Sequence, residues 1–278
     1  MNKDIFSIHA DLMQRAAAII DSRIEEIEQT GKSRTYPSEV EAESDALIGL
    51  FTVRSLQLYR DTLSFIASEV MHEDHKHHRF LLPHGRTLLD IHARFLHLLD
   101  KCSDKNSRAL TCLCYAMLTS KDVGNEGEYV KWLQEVSPNL LKYMKIDFPN
   151  ISELNFSWVK KNGFGFAKRS ELLTPEIIKK YSDETVRVFS PERTYKIYSH
   201  LSELLHGNPY YYTEDSHNER FWVVSMGVTT TGFIIELIDK YTIGKVGRRD
   251  LREWLKEVNT SKKDFISLWR SRVLPAKA

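Results

Sequence analysis

The feature that most constrains this chain is the three- and four-residue spacing of its apolar side chains, which recurs along most of its 278 residues. This spacing places one apolar stripe along each α-helix. Over residues 4–29 the stripe consists of Ile5, Ile8, Leu12, Ala16, Ile19, Ile20, Ile24 and Ile27. The strict alternation typical of strands is scarce, so we predict an all-α fold, a bundle of long antiparallel helices.

Glycines, prolines and capping residues divide the pattern into helices. Gly31 and Pro37 end the first helix, Ser103 can cap a later one, and the pairs Thr174-Pro175 and Ser190-Pro191 are typical of helix starts. The predicted helices cover 4–29, 39–71, 86–101, 103–120, a segment that ends at 143, a segment from 175, and then 191–206, 218–240, 247–258 and 261–271.

Residues 144–174 interrupt the helical pattern with prolines, glycines and aromatic residues. We predict loops and short strands there, as an irregular aromatic-rich insertion. The chain length is close to the upper limit of one compact domain. The prediction is therefore a single domain, 1–278, in which helix 4–29 and helices 247–271 pack on a core of residues 40–240.

The composition restricts the class of protein. Apolar residues make up 42% and charged residues 28%, which is typical of a globular chain. The net charge of +1 argues against a broad non-specific nucleic-acid surface, although a local basic pocket needs only a few cations. Cys112 and Cys114 are two apart, so a helix points them about 160° away from each other. With Cys102 they are predicted to be buried reduced thiols of a cytoplasmic protein, neither a disulfide nor a zinc site.

The longest apolar run covers residues 221–238 and contains four hydroxyl side chains and Glu236. A membrane span needs roughly 20 predominantly apolar residues. We therefore predict a buried core helix and no membrane span, with other helices covering Trp222, Val223, Phe233, Ile234 and Leu237.

Histidines are concentrated before the helix predicted at 86–101, at His72, His75, His77, His78 and His84. Imidazoles at this density can bind a transition metal. Lys76 and Arg79 would repel a cation, however, and the spacing matches no zinc-binding motif. We predict a solvated loop that gains charge near pH 6, with no metal and no cofactor.

The predicted helix 86–101 carries polar residues of two kinds. His92 falls within its apolar face, where a hydrogen-bonded core histidine is expected. Arg86 and Asp90 are four residues apart on another face and can pair, which would hold the guanidinium in one orientation. The alternative is an exposed ion pair worth a few tenths of a kcal/mol.

A second polar row lies in the segment YKIYSHLSELLHGNPYYY, residues 195–212. Tyr198, Ser202 and His206 follow one flank of the predicted helix, whereas Arg193 and His200 follow the opposite flank. The row is either a chemical site or a hydrogen-bonded seam between packed helices. Glycine-rich phosphate loops and the serine elbow of hydrolases are both absent from the sequence.

The two motifs together, RTLLD at 86–90 and Tyr198-x-x-x-Ser202-x-x-x-His206-Gly207, resemble a bacterial family of uncharacterised all-helical proteins over roughly residues 40–240. That family is distantly similar to the HEPN helical domains, many of which are metal-independent ribonucleases of toxin or phage-defence systems. Their hallmark is an arginine and a histidine with four to six residues between them, working across a dimer. Arg193 and His200 have six between them, whereas the histidine that matches the family is His206.

The resemblance implies a cytoplasmic, homodimeric endoribonuclease without a cofactor. His206 would be the acid/base, Arg86 the phosphate clamp, Asp90 its orienting partner and Ser202 a positioning donor. The RNA-binding residues would be Tyr198, Arg193, His200 and Tyr211, the last by base stacking. The alternative is a non-catalytic helical module that senses or binds a protein or nucleotide partner. An enzyme should place Arg86 and His206 in one solvent-reachable cleft, whereas a module without catalysis should bury or scatter them.

Overall fold

The computed structural model describes residues 4–72, 75–102, 104–121, 126–162, 174–181, 190–205, 217–241 and 248–273. Within these ranges the secondary structure is helical and contains no strand, which confirms the all-α class. The helices are α1 (Ile5–Ser33), α2 (Glu39–Glu69), α3 (His75–Lys101), α4 (Lys105–Lys121), α5 (Glu126–Val136), α6 (Pro138–Met144), the 3₁₀ turn η1 (Ile151–Glu153), α7 (Phe156–Lys161), α8 (Pro175–Tyr181), α9 (Pro191–Leu205), α10 (His217–Tyr241) and α11 (Arg248–Val273).

The predicted loop before residue 86 is wrong, because α3 already begins at His75 and continues through Pro83. Proline inside a helix removes one backbone hydrogen bond and is unfavourable in isolation. Here Leu81 and Leu82, just before Pro83, are buried. Burial of two leucines offsets the cost of the proline, since each contributes about 1.5–3 kcal/mol.

Other helix boundaries also differ from the prediction. Gly31 does not end the first helix, because α1 continues through it to Ser33. The segment that ends at 143 is two helices, separated at Ser137 before Pro138. Conversely, the predicted helices 247–258 and 261–271 are one continuous helix, α11. The Thr260 hydroxyl donates to the Lys256 carbonyl and the Ser261 hydroxyl to the Val258 carbonyl, so these polar residues bond within the helix and do not interrupt it.

The predicted caps at Thr174 and Ser190 are confirmed. Their hydroxyls accept hydrogen bonds from the backbone N–H groups of Ile177 and Arg193, each at 3.3 Å. Ser103 lies outside the described residues. The cap visible at the start of α4 is Asp104, which accepts from the Ser107 N–H at 3.0 Å. Its hydrogen bonds to Ser107 lower the pKa of the Asp104 carboxyl.

The aromatic insertion contains short helices where short strands were predicted. The turn η1 and helix α7 occupy its described part, and residues 163–173 lie outside the described residues. Ile151, Leu154, Trp158 and Val159 of this segment are buried. They belong to the turn, to the residue after it and to α7, and all four join one apolar cluster.

The chain divides into two compact units. Unit 1 consists of 1–26, 56–94 and 173–278, and unit 2 consists of 27–55 and 95–172. The boundaries fall within α1, α2 and α3, so the segments of the two units interleave along the sequence. The single-domain assignment stays a prediction.

Helix α10 is the most buried element of unit 1. Of residues 221–232, all but Trp222 are buried, and Trp222 is half-buried. The rings of Phe221, Phe6 and Phe265 join α10 to α1 and α11, with centroids 4.9 Å and 5.2 Å from that of Phe221. A β-carbon on Gly227 would lie 2.5 Å from the Met13 sulfur, so glycine permits the close approach of α1.

The prediction of a buried helix at 221–238 is confirmed for Val223 and Ile234. The half-burial of Trp222 differs from the prediction, and the side chains of Phe233 and Leu237 lie outside the described residues. Inside unit 1 two hydroxyls of α10 are hydrogen-bonded to the Tyr59 hydroxyl, that of Thr230 at 2.5 Å and that of Thr231 at 3.2 Å. In the described part of the chain, no helix is long and apolar enough to cross a membrane.

Unit 2 has a largely apolar core. Its main cluster joins α2, α4, α5, α6, η1 and α7 through Leu47, Ala109, Leu110, Leu113, Cys114, Leu133, Leu140, Met144, Ile151, Leu154, Trp158 and Val159. The start of α6 is capped by a residue that is distant in the sequence. Glu43 of α2 accepts hydrogen bonds from the backbone N–H groups of Asn139, at 3.2 Å, and Leu140, at 2.7 Å. A carboxylate at a helix start satisfies donors that the helix itself leaves unpaired.

Candidate functional site

Helix α3 brings Arg86 and Asp90 into direct contact, as their spacing predicts. The Arg86 Nε atom lies 3.7 Å from Asp90 Oδ2. Arg86 is only 4% exposed, whereas the Asp90 side chain is 26% exposed. The alternative of an exposed surface pair is therefore wrong, because the guanidinium is inside unit 1.

Tyr198 of α9 completes this group. Its hydroxyl donates to Asp90 Oδ1 at 3.2 Å, and the centre of its ring lies 5.7 Å from the Arg86 guanidinium carbon. Tyr198 is itself buried. Three residues from two separate sequence motifs thus meet in space, and we refer to Arg86, Asp90 and Tyr198 as the polar triad.

The triad does not use all of the hydrogen-bonding capacity of Arg86. Its Nε and Nη2 atoms are buried and have no hydrogen-bond acceptor among the described residues. A buried charge needs an opposite charge and hydrogen bonds to offset the loss of hydration. The Asp90 contact and the Tyr198 ring supply part of this compensation through charge and cation–π attraction.

The other members of the predicted catalytic row follow Tyr198 along α9. Ser202, one turn later, is half-buried. The helix ends at Leu205, so His206 lies outside the described residues, as does Tyr211. The expectation that His206 lies within about 10 Å of Arg86, from the usual separation of packed helices, stays a prediction.

Arg193 and His200 occupy a different side of α9. At 100° per residue they project about 140° and about 160° away from Tyr198, so the triad and this pair do not share a face. The His200 ring packs edge-to-face on Trp222, with centroids 4.7 Å apart. Partial burial lowers the pKa of His200, which favours the neutral imidazole. The structure therefore does not bring all of the predicted RNA-binding residues to one surface.

Two histidines are buried in unit 1 away from the predicted catalytic row. His92 is a core residue, as its position predicts; burial lowers its pKa to about 3, and its ring hydrogen-bonds to the Thr230 backbone. His9 of α1 was not predicted, although it lies one turn before Leu12 and Met13 on the apolar stripe. Burial lowers the pKa of His9 to about 4, and its ring packs on Phe265 at 4.5 Å.

The residue types that bind metals do not form a site in the described part of the chain. No group of three or more histidine, cysteine or acidic side chains is placed to hold an ion there. The side chains of His75, His77 and His78 lie outside the described residues. Cys102, Cys112 and Cys114 are free and buried, and burial raises the pKa of each thiol, as predicted for unreactive core cysteines.

Comparison with known proteins finds no matching family model, no matching curated protein and no matching solved structure.

Proposed function

We propose that this chain is a non-catalytic helical module that binds a protein partner. The observation that carries this proposal is the burial of Arg86, which is 4% exposed and lies between Asp90 and the Tyr198 ring. A catalytic phosphate clamp has to reach the substrate from a solvent-accessible cleft. A buried arginine that joins two helices instead stabilises a fixed arrangement of α3 and α9.

An exposed group of large apolar side chains on unit 1 supports binding to another protein. Leu58 and Phe65, seven residues apart on one face of α2, are 52% and 43% exposed. The Phe65 ring contacts His84 of α3 at 4.7 Å, and Phe80, one turn before His84, is 73% exposed. We refer to Leu58, Phe65 and Phe80 as the apolar strip. Clustered exposed apolar residues are typical of protein-binding surfaces.

Site-specific photo-crosslinking in the source cells tests this function. Phe80 is replaced by p-benzoyl-phenylalanine, and Lys263, an exposed residue on α11 of the same unit, is replaced in a control. We expect one defined protein adduct at position 80 that Leu58→Asp removes, and none at position 263. Adducts that are identical at both positions, or that survive Leu58→Asp, would overturn the assignment to the apolar strip.

A metal-independent ribonuclease is the second candidate. It is favoured by the polar triad, which unites the two motifs of the family resemblance. In this function His206 is the acid/base, and Arg86, with its unpaired N–H groups, stabilises the phosphorane charge after a local opening. RNA is the substrate and a homodimer the active unit.

His206→Ala distinguishes the two candidates. A ribonuclease should lose about 10²–10⁴-fold in RNA cleavage without general acid/base catalysis. Its melting temperature should stay unchanged, cleavage should persist in EDTA, and the exposed His72→Ala should match wild type. If the purified wild-type chain cleaves no RNA, or if His206→Ala cleaves as fast as wild type, the ribonuclease candidate is excluded.

A further inference from the structure

A cleft of about 490 Å³ opens on unit 2 between the turn that follows α6 and helix α7. This volume lies within the range of small-molecule sites, roughly 300–1,000 Å³. Among the described residues, its walls come from the segment 147–162. It lies in the aromatic-rich insertion, the part of the sequence that interrupts the helical pattern.

The apolar wall of the cleft is rigid. The rings of Phe148 and Trp158 pack edge-to-face with centroids 5.8 Å apart, and Trp158, only 6% exposed, is anchored in the core. Two asparagines hold the backbone around Trp158: Asn155 accepts from its N–H, and Asn162 donates to its carbonyl, both at 2.9 Å. The cleft is therefore a preformed surface and needs little ordering on binding.

The charged groups of the cleft are not neutralised by one another. Asp147, Glu153 and Lys161 line it, all three side chains are exposed, and none forms an ion pair in the described part of the chain. Among the described lining residues the balance is two carboxylates against one ammonium. Asn150 also lines the cleft, and its side-chain amide does not cap η1, so it is available to a ligand.

We propose that this cleft binds a small organic cation, a guanidinium or amine compound with a short apolar body. The carboxylates of Asp147 and Glu153 would hold the cationic ends, because opposite charges are the strongest attraction available at a partly exposed site. The Phe148 ring and Pro149 would contact the apolar body, and an aromatic face also attracts a cation. Lys161 at the rim would disfavour compounds that carry positive charge along their whole length. This site is separate from the apolar strip and does not depend on the proposed protein-binding function.

Calorimetric titration of the full chain with agmatine, which carries a guanidinium and an amine, tests the site. We expect saturable binding at millimolar concentrations that weakens as salt is added, because the attraction is screened. Asp147→Asn and Glu153→Gln should each weaken it about three- to fivefold, the upper range for a partly exposed charge pair. Glu135→Gln, an exposed acid of α5 in the same unit, is the matched control and should bind as wild type.

Two further titrations test whether the cleft prefers positive over negative charge. Lys161→Gln should tighten agmatine binding about two- to fivefold, since it removes a like charge. 4-Guanidinobutyrate, which replaces the amine of agmatine by a carboxylate, should bind more weakly than agmatine. Absence of saturable agmatine binding, equal losses in Glu135→Gln and Asp147→Asn, tighter binding of 4-guanidinobutyrate, or weaker binding in Lys161→Gln would each overturn the proposal.

Discussion

Unit 1 and unit 2 bury different kinds of side chain. The described interior of unit 1 contains His9, His92, Arg23 and Arg86, side chains that can carry a positive charge. That of unit 2 contains the thiols of Cys102, Cys112 and Cys114 among apolar residues, and burial keeps them neutral by raising their pKa. Unit 1 thus buries imidazoles and guanidinium groups, whereas unit 2 buries neutral thiols.

This difference predicts which unit loses more stability when the pH or a charged side chain is changed. A buried imidazole resists protonation in the folded state, so acid below its ordinary pKa favours the unfolded state. A buried guanidinium needs its carboxylate partner at every pH. Unit 2 places its carboxylate Glu43 at a helix start, where the donors are backbone N–H groups. Changes of pH or of charge should therefore affect unit 1 more than unit 2.

The largest expected effect is acid destabilisation through His9 and His92. Their pKa values fall from 6.5 in the unfolded chain to about 4 and about 3 in the folded chain, so only the unfolded state binds protons as the pH drops below 6.5. Stability is fully present above pH 6.5 and is lost progressively toward pH 4 for His9 and pH 3 for His92. The shifts correspond to about 3 and about 5 kcal/mol.

Urea unfolding across this pH range measures the effect. His9→Leu and His92→Leu should each flatten the pH dependence, whereas His72→Gln, an exposed histidine, should leave it nearly as in wild type. A free energy of unfolding that is constant between pH 6.5 and pH 4 would contradict the burial of neutral imidazoles in unit 1.

The second effect concerns the polar triad. Asp90→Ala leaves Arg86 as a buried charge without its carboxylate and should reduce the free energy of unfolding by about 3 kcal/mol. Arg86→Met removes the charge itself and should be nearly neutral, and the double variant should resemble Arg86→Met. Asp61→Ala, which breaks an exposed pair with Arg60, is the control and should cost less than about 1 kcal/mol. Equal losses in Asp90→Ala and Asp61→Ala would show that the triad behaves as a surface pair.

The third effect concerns the cap that Glu43 provides at the start of α6 in unit 2. Glu43→Ala removes the acceptor of the first N–H groups of α6 and should cost about 1–2 kcal/mol, as for the loss of a helix cap. The hydroxyl of Ser137, at the N-cap position, makes no hydrogen bond among the described residues and does not replace it. Thermal or chemical unfolding of Glu43→Ala beside Glu135→Ala checks this, and equal stability of the two variants would rule out the cap.

The smallest effect is expected for Tyr59→Phe in unit 1. The Tyr59 hydroxyl bonds to Thr230 and Thr231, but both threonines also donate to backbone carbonyls of α10. Removal of the Tyr59 hydroxyl leaves both threonine hydroxyls hydrogen-bonded, so the free energy of unfolding should fall by about 1 kcal/mol or less. Tyr143→Phe, at an exposed tyrosine of unit 2, should change nothing measurable in the same denaturation experiment. If Tyr59→Phe instead reduced the free energy of unfolding by several kcal/mol, the buried threonine hydroxyls would depend on the Tyr59 hydroxyl.

Part of the candidate site could be predicted from the sequence. The spacing of Arg86 and Asp90 predicts their contact, because residues four apart on a helix are neighbours whatever surrounds them. The position of His92 within an apolar face likewise predicts a core histidine. The contact of Tyr198 with both Arg86 and Asp90 could not be predicted from spacing, since Tyr198 follows Asp90 by 108 residues in the sequence. The cleft of unit 2 was also missed, because a concave surface depends on how the turn at 147–150 lies against α7.

The sequence by itself determined the helical class, the caps at Thr174 and Ser190, and the burial of Val223 and Ile234 in the apolar run. These features depend on periodicity and on hydrogen bonds between near neighbours in the chain. Only the tertiary structure decided that α3 continues through Pro83, that Arg86 is buried, and that Leu58 and Phe65 are exposed. In each of these cases the outcome depends on which helix covers a given face, and the free energy of burial against distant residues exceeds the local preference of the chain.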